Sequence, residues 1–245
     1  MEIPKEWLEA AQRNSIFQSE YKCKKCNDTG YISVISEGSS CAQECKCQAI
    51  RRMERAIAKS GIADAFKACK FENFIPWDPR VVRAKEIAQK YAKDFLSIEN
   101  ERMNSLALLG AVGCGKTMLG ICVLNTLVQD GVDVLYTPYR EMVSSLKRSV
   151  LDEYEYTNVC RRFINPRILF IDDLYKGRTE NDPKYVYDIV NARYLAKSPM
   201  IITSELQADG LMQIDEAVAS RIIEMSRSYI RELCGDGLNY RLRGL

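Results

Sequence analysis

Residues 110–117 read Gly-Ala-Val-Gly-Cys-Gly-Lys-Thr, a spacing suited to gripping a nucleoside triphosphate. Gly110, Gly113 and Gly115 let the backbone curl, so that successive N–H groups from Ala111 and Val112 through Cys114 to Met118 turn toward phosphate oxygens. A helix starting there would add its positive end. Lys116 would neutralise the β and γ phosphates, and Thr117 offers a hydroxyl to the Mg²⁺ that bridges them. A glycine turn without a ligand has no use for Lys and Thr in those two places. Cys114 reads as a small tolerated side chain more readily than as a redox handle.

A second cluster follows at Ile168-Leu169-Phe170-Ile171-Asp172-Asp173. An apolar run ending in two acids is commonly a strand and its polar turn. Downstream of a complete phosphate loop, the same pattern assigns Asp172 to Mg²⁺ and Asp173 to the polarisation of an attacking water. Together the two segments predict an NTPase that uses Mg²⁺.

The chain holds ten cysteines and no histidine. Every mechanism that relies on imidazole is thereby excluded, including Ser-His-Asp and Cys-His chemistry and His-ligated metals. Five of the cysteines fall between Cys23 and Cys47. Cys23-x2-Cys26 and Cys45-x-Cys47 bracket an eighteen-residue insert, a pattern that fits four thiolates around Zn²⁺. Four protein ligands leave no open position, so the role is structural. Cys41 competes with Cys47 as fourth ligand, and buried free thiols are the plainer alternative. Lys22, Lys24, Lys25 and Lys46 around the cluster would offset thiolate charge, or are ordinary surface residues.

These residues must be positioned by ordered elements. The 245 residues, 47% hydrophobic and 28% charged with net charge +2, predict a globular chain of one domain plus a small appendage. Any nucleic-acid contact must therefore be a local patch. Short apolar runs at Ser105–Leu109, Val132–Thr137, Arg167–Ile171 and Pro199–Thr203 alternate with helical patterns, including Val81–Leu96, Thr117 to about Val128, and one from about Tyr139. This alternation predicts a parallel α/β sheet flanked by helices. The boundary is placed near residue 70: a mildly basic, cysteine-rich head over 1–70 and the α/β domain over 71–245. A helix from about Cys47 to Ala58 closes the head, and the aromatic, Pro-rich stretch from Phe71 to Pro79 reads as a linker. The opening residues lack an apolar run long enough for a signal peptide or a membrane span, so a cytoplasmic, membrane-free protein is expected. Ile3, Trp7, Leu8 and Ala11 form an apolar helical face that packs on its own domain or docks a partner. Arg51, Arg52 and Arg55 form a basic face whose ordinary reading is solvation, and Lys147-Arg148 and Arg161-Arg162 are weaker still.

With these residues in view, the chain resembles the bacterial and phage helicase loaders of the DnaC/DnaI type and, more distantly, the IstB-type ATPases that assist transposases. The resemblance spans nearly the whole chain. It rests on the phosphate loop, Asp172-Asp173-Leu174, Cys23-Lys-Lys-Cys-Asn-Asp-Thr-Gly-Tyr, Phe71-Glu-Asn-Phe, Ile201-Ile-Thr-Ser and Ser220-Arg-Ile-Ile-Glu-Met. It implies an AAA+ P-loop core with a reduced C-terminal lid, behind a small zinc-binding domain that contacts a replicative hexameric DNA helicase. It further implies self-association through the ATPase domain and contact with single-stranded DNA. By the same resemblance Arg221 is the arginine finger that completes a neighbouring subunit's site, and Arg241 the second sensing arginine. On the residues alone, the plainer alternative for Arg221 is a solvated or ion-paired position on an amphipathic helix. One departure stands out: where the family usually has Ile-Thr-Ser-Asn, this chain has Ile202-Thr203-Ser204-Glu205. A carboxylate near a γ-phosphate is unfavourable unless it turns away, so that either Thr203 or Ser204 takes over or hydrolysis is slow. An IstB-like ATPase assisting a transposase, and a nucleotide-insensitive zinc adaptor, are the competing readings.

Overall fold

The computed structural model describes residues 21–36, 39–48, 50–51 and 69–243. The apolar face of Ile3, Trp7, Leu8 and Ala11, the basic residues Arg52 and Arg55, and most of the helix expected to run to Ala58 lie outside them. The chain divides into two compact units, residues 1–48 and 49–245; the expected boundary near residue 70 adjoins the undescribed residues 52–68.

The smaller unit is built on a hairpin that sequence patterning did not reveal. Strand β1 (Tyr31–Ser36) pairs antiparallel with β2 (Ser39–Glu44), Tyr31 opposite Glu44 and Val34 opposite Cys41. Tyr31, Ser33 and Ile35 are exposed while Ile32 and Val34 are half-buried, the two-residue alternation of a strand with one covered face. The turn ahead of it needs left-handed backbone at Asn27, Asp28 and Gly30. The Asp28 carboxylate supports that turn by accepting from the backbone N–H groups of Lys22 and Cys23, each at 3.0 Å.

In the larger unit five parallel strands form one sheet in the order β4-β5-β6-β3-β7. These are β3 (Leu106–Gly110), β4 (Val134–Pro138), β5 (Ile168–Asp172), β6 (Met200–Ser204) and β7 (Ile230–Leu233). The helices are α1 (Pro79–Ile98), α2 (Lys116–Gln129), α3 (Tyr139–Ser149), α4 (Glu153–Ile164), α5 (Asp182–Leu195), α6 (Ala208–Ile214) and α7 (Glu216–Ser226). The fold is thus the parallel α/β architecture expected. Successive strand residues feed opposite cores. Leu106, Leu108, Phe170 and Ile201 pack with α1 and α2, whereas Ala107, Leu109, Leu169, Ile171 and Ile202 pack with α3, α5 and α7. Both faces are covered, and for that reason the runs are continuously apolar rather than alternating.

The four expected strands all form, each beginning one or two residues later than the apolar run suggests. Strand β7 was not foreseen, because Ile230-Arg-Glu-Leu233 is short and half polar; its partner β3 supplies the pairing. The stretch Phe71–Pro79 also differs from expectation. Phe71 and Phe74 are buried in the core shared with α1 and α2, so the segment is a packed strap rather than a linker, held in place by the apolar area its aromatic rings remove from water. Asp78 then caps α1, accepting from the Arg80 backbone N–H at 2.8 Å, with Pro79 in the first turn.

Arg193 on α5 is fully buried, and its guanidinium donates to the carbonyls of Phe163, Ile164, Pro166, Arg167 and Pro199. It ties the end of α4 and the entries to β5 and β6 to one helix. Beyond β7 the described residues hold a single 3₁₀ turn, Tyr240–Leu242. Among the described residues no helix is long and apolar enough to cross a membrane.

Candidate functional site

The phosphate-loop residues leave β3 at Gly110 and enter α2 at Lys116. Gly110, Gly113 and Gly115 have φ of 107°, 72° and 87°, backbone that side-chain-bearing residues rarely adopt. A Cβ on Gly110 would stand 2.3 Å from the Leu233 carbonyl oxygen, and one on Gly113 2.1 Å from Asn239 Oδ1. The loop base is pinned by Gly110 N–H to the Leu206 carbonyl (3.1 Å) and Ala111 N–H to the Leu233 carbonyl (2.7 Å). Lys116 is buried at 6% exposure, and its ammonium donates to the carbonyls of Gly110 (2.8 Å) and Ala111 (2.6 Å). Cys114 donates to the Ala111 carbonyl at 2.8 Å, and burial pushes its thiol up, so it is a packing residue of the loop.

The acidic end of β5 meets the first turn of α2. Thr117 Oγ1 donates to Asp172 Oδ1 at 2.8 Å, Thr203 Oγ1 donates to the same oxygen at 2.5 Å, and the Tyr136 hydroxyl donates to Oδ2 at 2.9 Å. Burial raises the Asp172 pKa, opposed by donation from Thr203 and Thr117, while the neighbouring Asp173 charge raises it further. A buried carboxylate beside a hydroxyl is an all-oxygen donor pair, the chemistry of a Mg²⁺ site. Asp173 adopts φ of 56° and donates its N–H to Thr203 Oγ1 at 2.9 Å. Its carboxylate is paired with Lys176 Nζ at 3.0 Å, and Lys176 also reaches Glu205 Oε1 at 2.6 Å. Glu205 is therefore held by a cation instead of standing alone.

These residues open on a cleft of about 330 Å³, which Val112 to Met118 line on one side and Asp173, Lys176 and Glu205 on another. The remaining wall consists of Asn73, Phe74, Ile75 and Trp77 from the strap, with Tyr240 and Arg241 from the 3₁₀ turn; of these the sequence pointed to Arg241 alone. The Trp77 and Tyr240 rings lie 4.8 Å apart, and Phe74 reaches Gly115 so closely that a Cβ there would stand 2.9 Å from its ring. The wall is aromatic, its rings tilted 41° and 51° to one another, and its ring faces suit a heterocyclic base. For the strap, the sequence cue was the aromatic stretch from Phe71 to Pro79, well ahead of the glycine loop.

Arg241 reaches the cleft, whereas Arg221 does not line it. Arg221 lies on α7 between the rings of Tyr187 and Tyr194, with centroid distances of 5.3 and 5.2 Å, and donates to Asn191 Oδ1 at 3.1 Å and the Ala217 carbonyl at 2.6 Å.

In the smaller unit the sulfurs of Cys23, Cys26, Cys45 and Cys47 lie within 4.8 Å of one another; Cys41 sits exposed on β2 and takes no part. The Gly30 N–H donates to Cys26 Sγ at 3.4 Å, and the Cys45 N–H to the Gly30 carbonyl at 2.8 Å, so the turn faces its donors at the sulfurs. Backbone N–H groups of Cys26 and Lys25 draw the Cys23 thiol down to about 6, while burial and the neighbouring sulfurs push Cys47 up to about 12. Four sulfurs this close can all ionise only around a shared cation, and four convergent thiolates suit Zn²⁺.

Comparison with known proteins agrees with this geometry. A family model described as "IstB-like ATP binding protein" matches residues 32–242. The protein YqaM of Bacillus subtilis (strain 168) is 38% identical over 212 residues, covering 82% of this chain and 67% of YqaM. The phage-like element PBSX protein XkdC of the same organism is 34% identical over 238 residues, covering 93% of this chain and 88% of XkdC. Among solved structures, the crystal structure of the DnaC helicase loader superposes with a TM-score of 0.61 at 23% identity, over 69% of this chain and 99% of that one. With its glycine loop, buried acid and five-stranded parallel sheet, this chain belongs to the family of IstB-like ATP-binding proteins, and its core shares the fold of the DnaC helicase loader.

Proposed function

We propose that the chain is an ATP-dependent loader or regulator of a replicative hexameric DNA helicase, acting in the cytoplasm. ATP binding and hydrolysis would control its grip on the helicase and on single-stranded DNA. The observation that carries the ATPase part is the hydrogen bond to Asp172 from Thr117, which lines the cleft beside Lys116. The likeness of the core to the whole DnaC loader structure supports the loading part.

In this reading the backbone N–H groups of residues 111–118 and the Lys116 ammonium hold the phosphates, and Arg241 closes over them. Thr117 and Asp172 hold Mg²⁺, which when bound supplies neutralisation of charge between the β and γ phosphates. Trp77 and Tyr240 flank the base. Asp173 orients the attacking water and accepts its proton. Arg221, absent from its own cleft and held between two tyrosines, projects to the site of a neighbouring subunit in the assembled state, so turnover reports self-association. The head, residues 1–70, holds Zn²⁺ through Cys23, Cys26, Cys45 and Cys47 and grips the helicase, while residues 71–245 form the ATPase domain.

The family match favours a second reading, an ATPase that assists a transposase. Pull-down with the tagged chain from a bacterial lysate, with and without ATP, separates the readings. ATP-dependent recovery of a replicative helicase is expected, recovery of a transposase would replace the loader by the second reading, and nucleotide-independent binding would mean a zinc adaptor.

A further inference from the structure

Glu205 follows β6 directly, and β6 lies between the strand that ends in the phosphate loop and the strand that ends in Asp172. Its side chain therefore enters the cleft at the carboxyl end of the central strand, where ligands of open α/β sheets bind. A bare carboxylate there would repel a terminal phosphate. The neighbouring hydroxyls cannot take the phosphate instead, because both are committed within the protein. Thr203 Oγ1 donates to Asp172 Oδ1 and accepts from the Asp173 N–H, and Ser204 Oγ donates to the Leu174 carbonyl at 2.8 Å and accepts from the Leu206 N–H at 3.2 Å. Both residues are fully buried.

The cation of this corner is Lys176. Its ammonium bridges Asp173 and Glu205, all three line the cleft together with Lys116 and Thr117, and its side chain stays 46% exposed. Ion pairs with that much solvent access are individually weak, so a phosphate carrying two negative charges can draw the ammonium away from one partner without disturbing the fold.

We propose that Lys176 and Glu205 together sense the terminal phosphate of the bound nucleotide. Lys176 supplies the cation that meets it, and Glu205 is the tether that holds that cation at the cleft and is itself neutralised. This rests on the ATP-binding reading above and adds the residues that distinguish triphosphate from diphosphate.

The test is calorimetric binding of ATP and of ADP, each with Mg²⁺, together with steady-state turnover, for the parent, Lys176→Met, Lys176→Arg and the double variant Lys176→Met/Glu205→Gln. In Lys176→Met the uncompensated Glu205 faces the phosphate, so ATP affinity is expected to fall about tenfold or more while ADP affinity stays within about twofold. Lys176→Arg keeps the preference for ATP. The double variant, which removes both charges, regains at least part of the lost ATP affinity and turnover, a rescue that a merely structural lysine would not show. Equal loss for ATP and ADP, no loss in Lys176→Met, or no recovery in the double variant overturns the proposal. A parent that binds neither nucleotide overturns the ATP-binding reading itself, and the sensor with it.

Discussion

Thr117 and Asp172, fifty-five positions apart in the chain, are joined by a 2.8 Å hydrogen bond that ties the first turn of α2 to the end of β5. Thr203 and Tyr136 donate to the same carboxylate from β6 and β4. Three hydroxyls thus favour the charged form that burial opposes. Protein hydroxyls thus set the orientation of the carboxylate, which lowers the cost of organising the site.

Lys116→Ala removes an ammonium held by two loop carbonyls. Charge-assisted hydrogen bonds contribute roughly 1.5–3 kcal/mol each, so affinity for Mg·ATP should fall by about a hundredfold or more. The helix of the variant remains, since α2 keeps its buried apolar face. Calorimetry reads the affinity and circular dichroism the fold; unchanged affinity would remove the loop from nucleotide binding.

Arg221→Ala should leave nucleotide affinity as in the parent, because the residue does not line the cleft. Turnover measured as a function of protein concentration should lose its assembly-dependent rise, by about 10³-fold where a finger operates in trans. Parallel concentration curves for variant and parent would confine Arg221 to its packing against Tyr187 and Tyr194.

Metal analysis after preparation without chelator should find about one zinc per chain. Cys47→Ser should lose it and Cys41→Ser should retain it, because only the former sulfur lies in the cluster. Loss in the Cys41 variant would reverse the assignment, and zinc-free parent protein would leave the thiols without a metal.

Acid stability should carry the mark of Asp182. Burial alone would raise its pKa, but Lys147 at 2.6 Å, the Thr179 hydroxyl and N–H, and the Tyr139 hydroxyl outweigh burial and hold it at about 2, below the usual 3.8. A folded-state pKa below the unfolded one means stability that is present above about pH 4 and lost as the pH falls toward about 2, of order 2 kcal/mol in all. Urea titrations between pH 2 and 5 should show that slope in the parent and a shallower one in Asp182→Asn. Equal slopes would show that the network contributes nothing to acid resistance.

The sequence disclosed those parts of the fold whose signal is local. Gly110 to Thr117 and Ile168 to Asp173 carry their chemistry in consecutive residues, and the buried strands are apolar because both sheet faces are covered. Strand β7 and the head hairpin went unseen because their pairing energy comes from partners, β3 in one case and a cysteine-flanked turn in the other. Lys176 could not be picked out, since its meeting with Glu205 depends on a left-handed turn at Asp173 and Tyr175 that no residue type announces. Phe74 and Trp77 had the composition of a boundary, and only folding brings them together with Tyr240 at the cleft. The Arg193 clamp was hidden for the opposite reason: an arginine on a helix ordinarily faces water.

The Tyr240 N–H donates to the Gly113 carbonyl at 3.0 Å, and a Cβ at Gly113 would collide with Asn239. Residues 239–241 are thus fastened to the very bend that would wrap a phosphate. Force applied to that segment, whether by a docking protein or by an adjoining copy, would be transmitted to Gly113 across a single peptide contact, giving an outside agent a lever on nucleotide release.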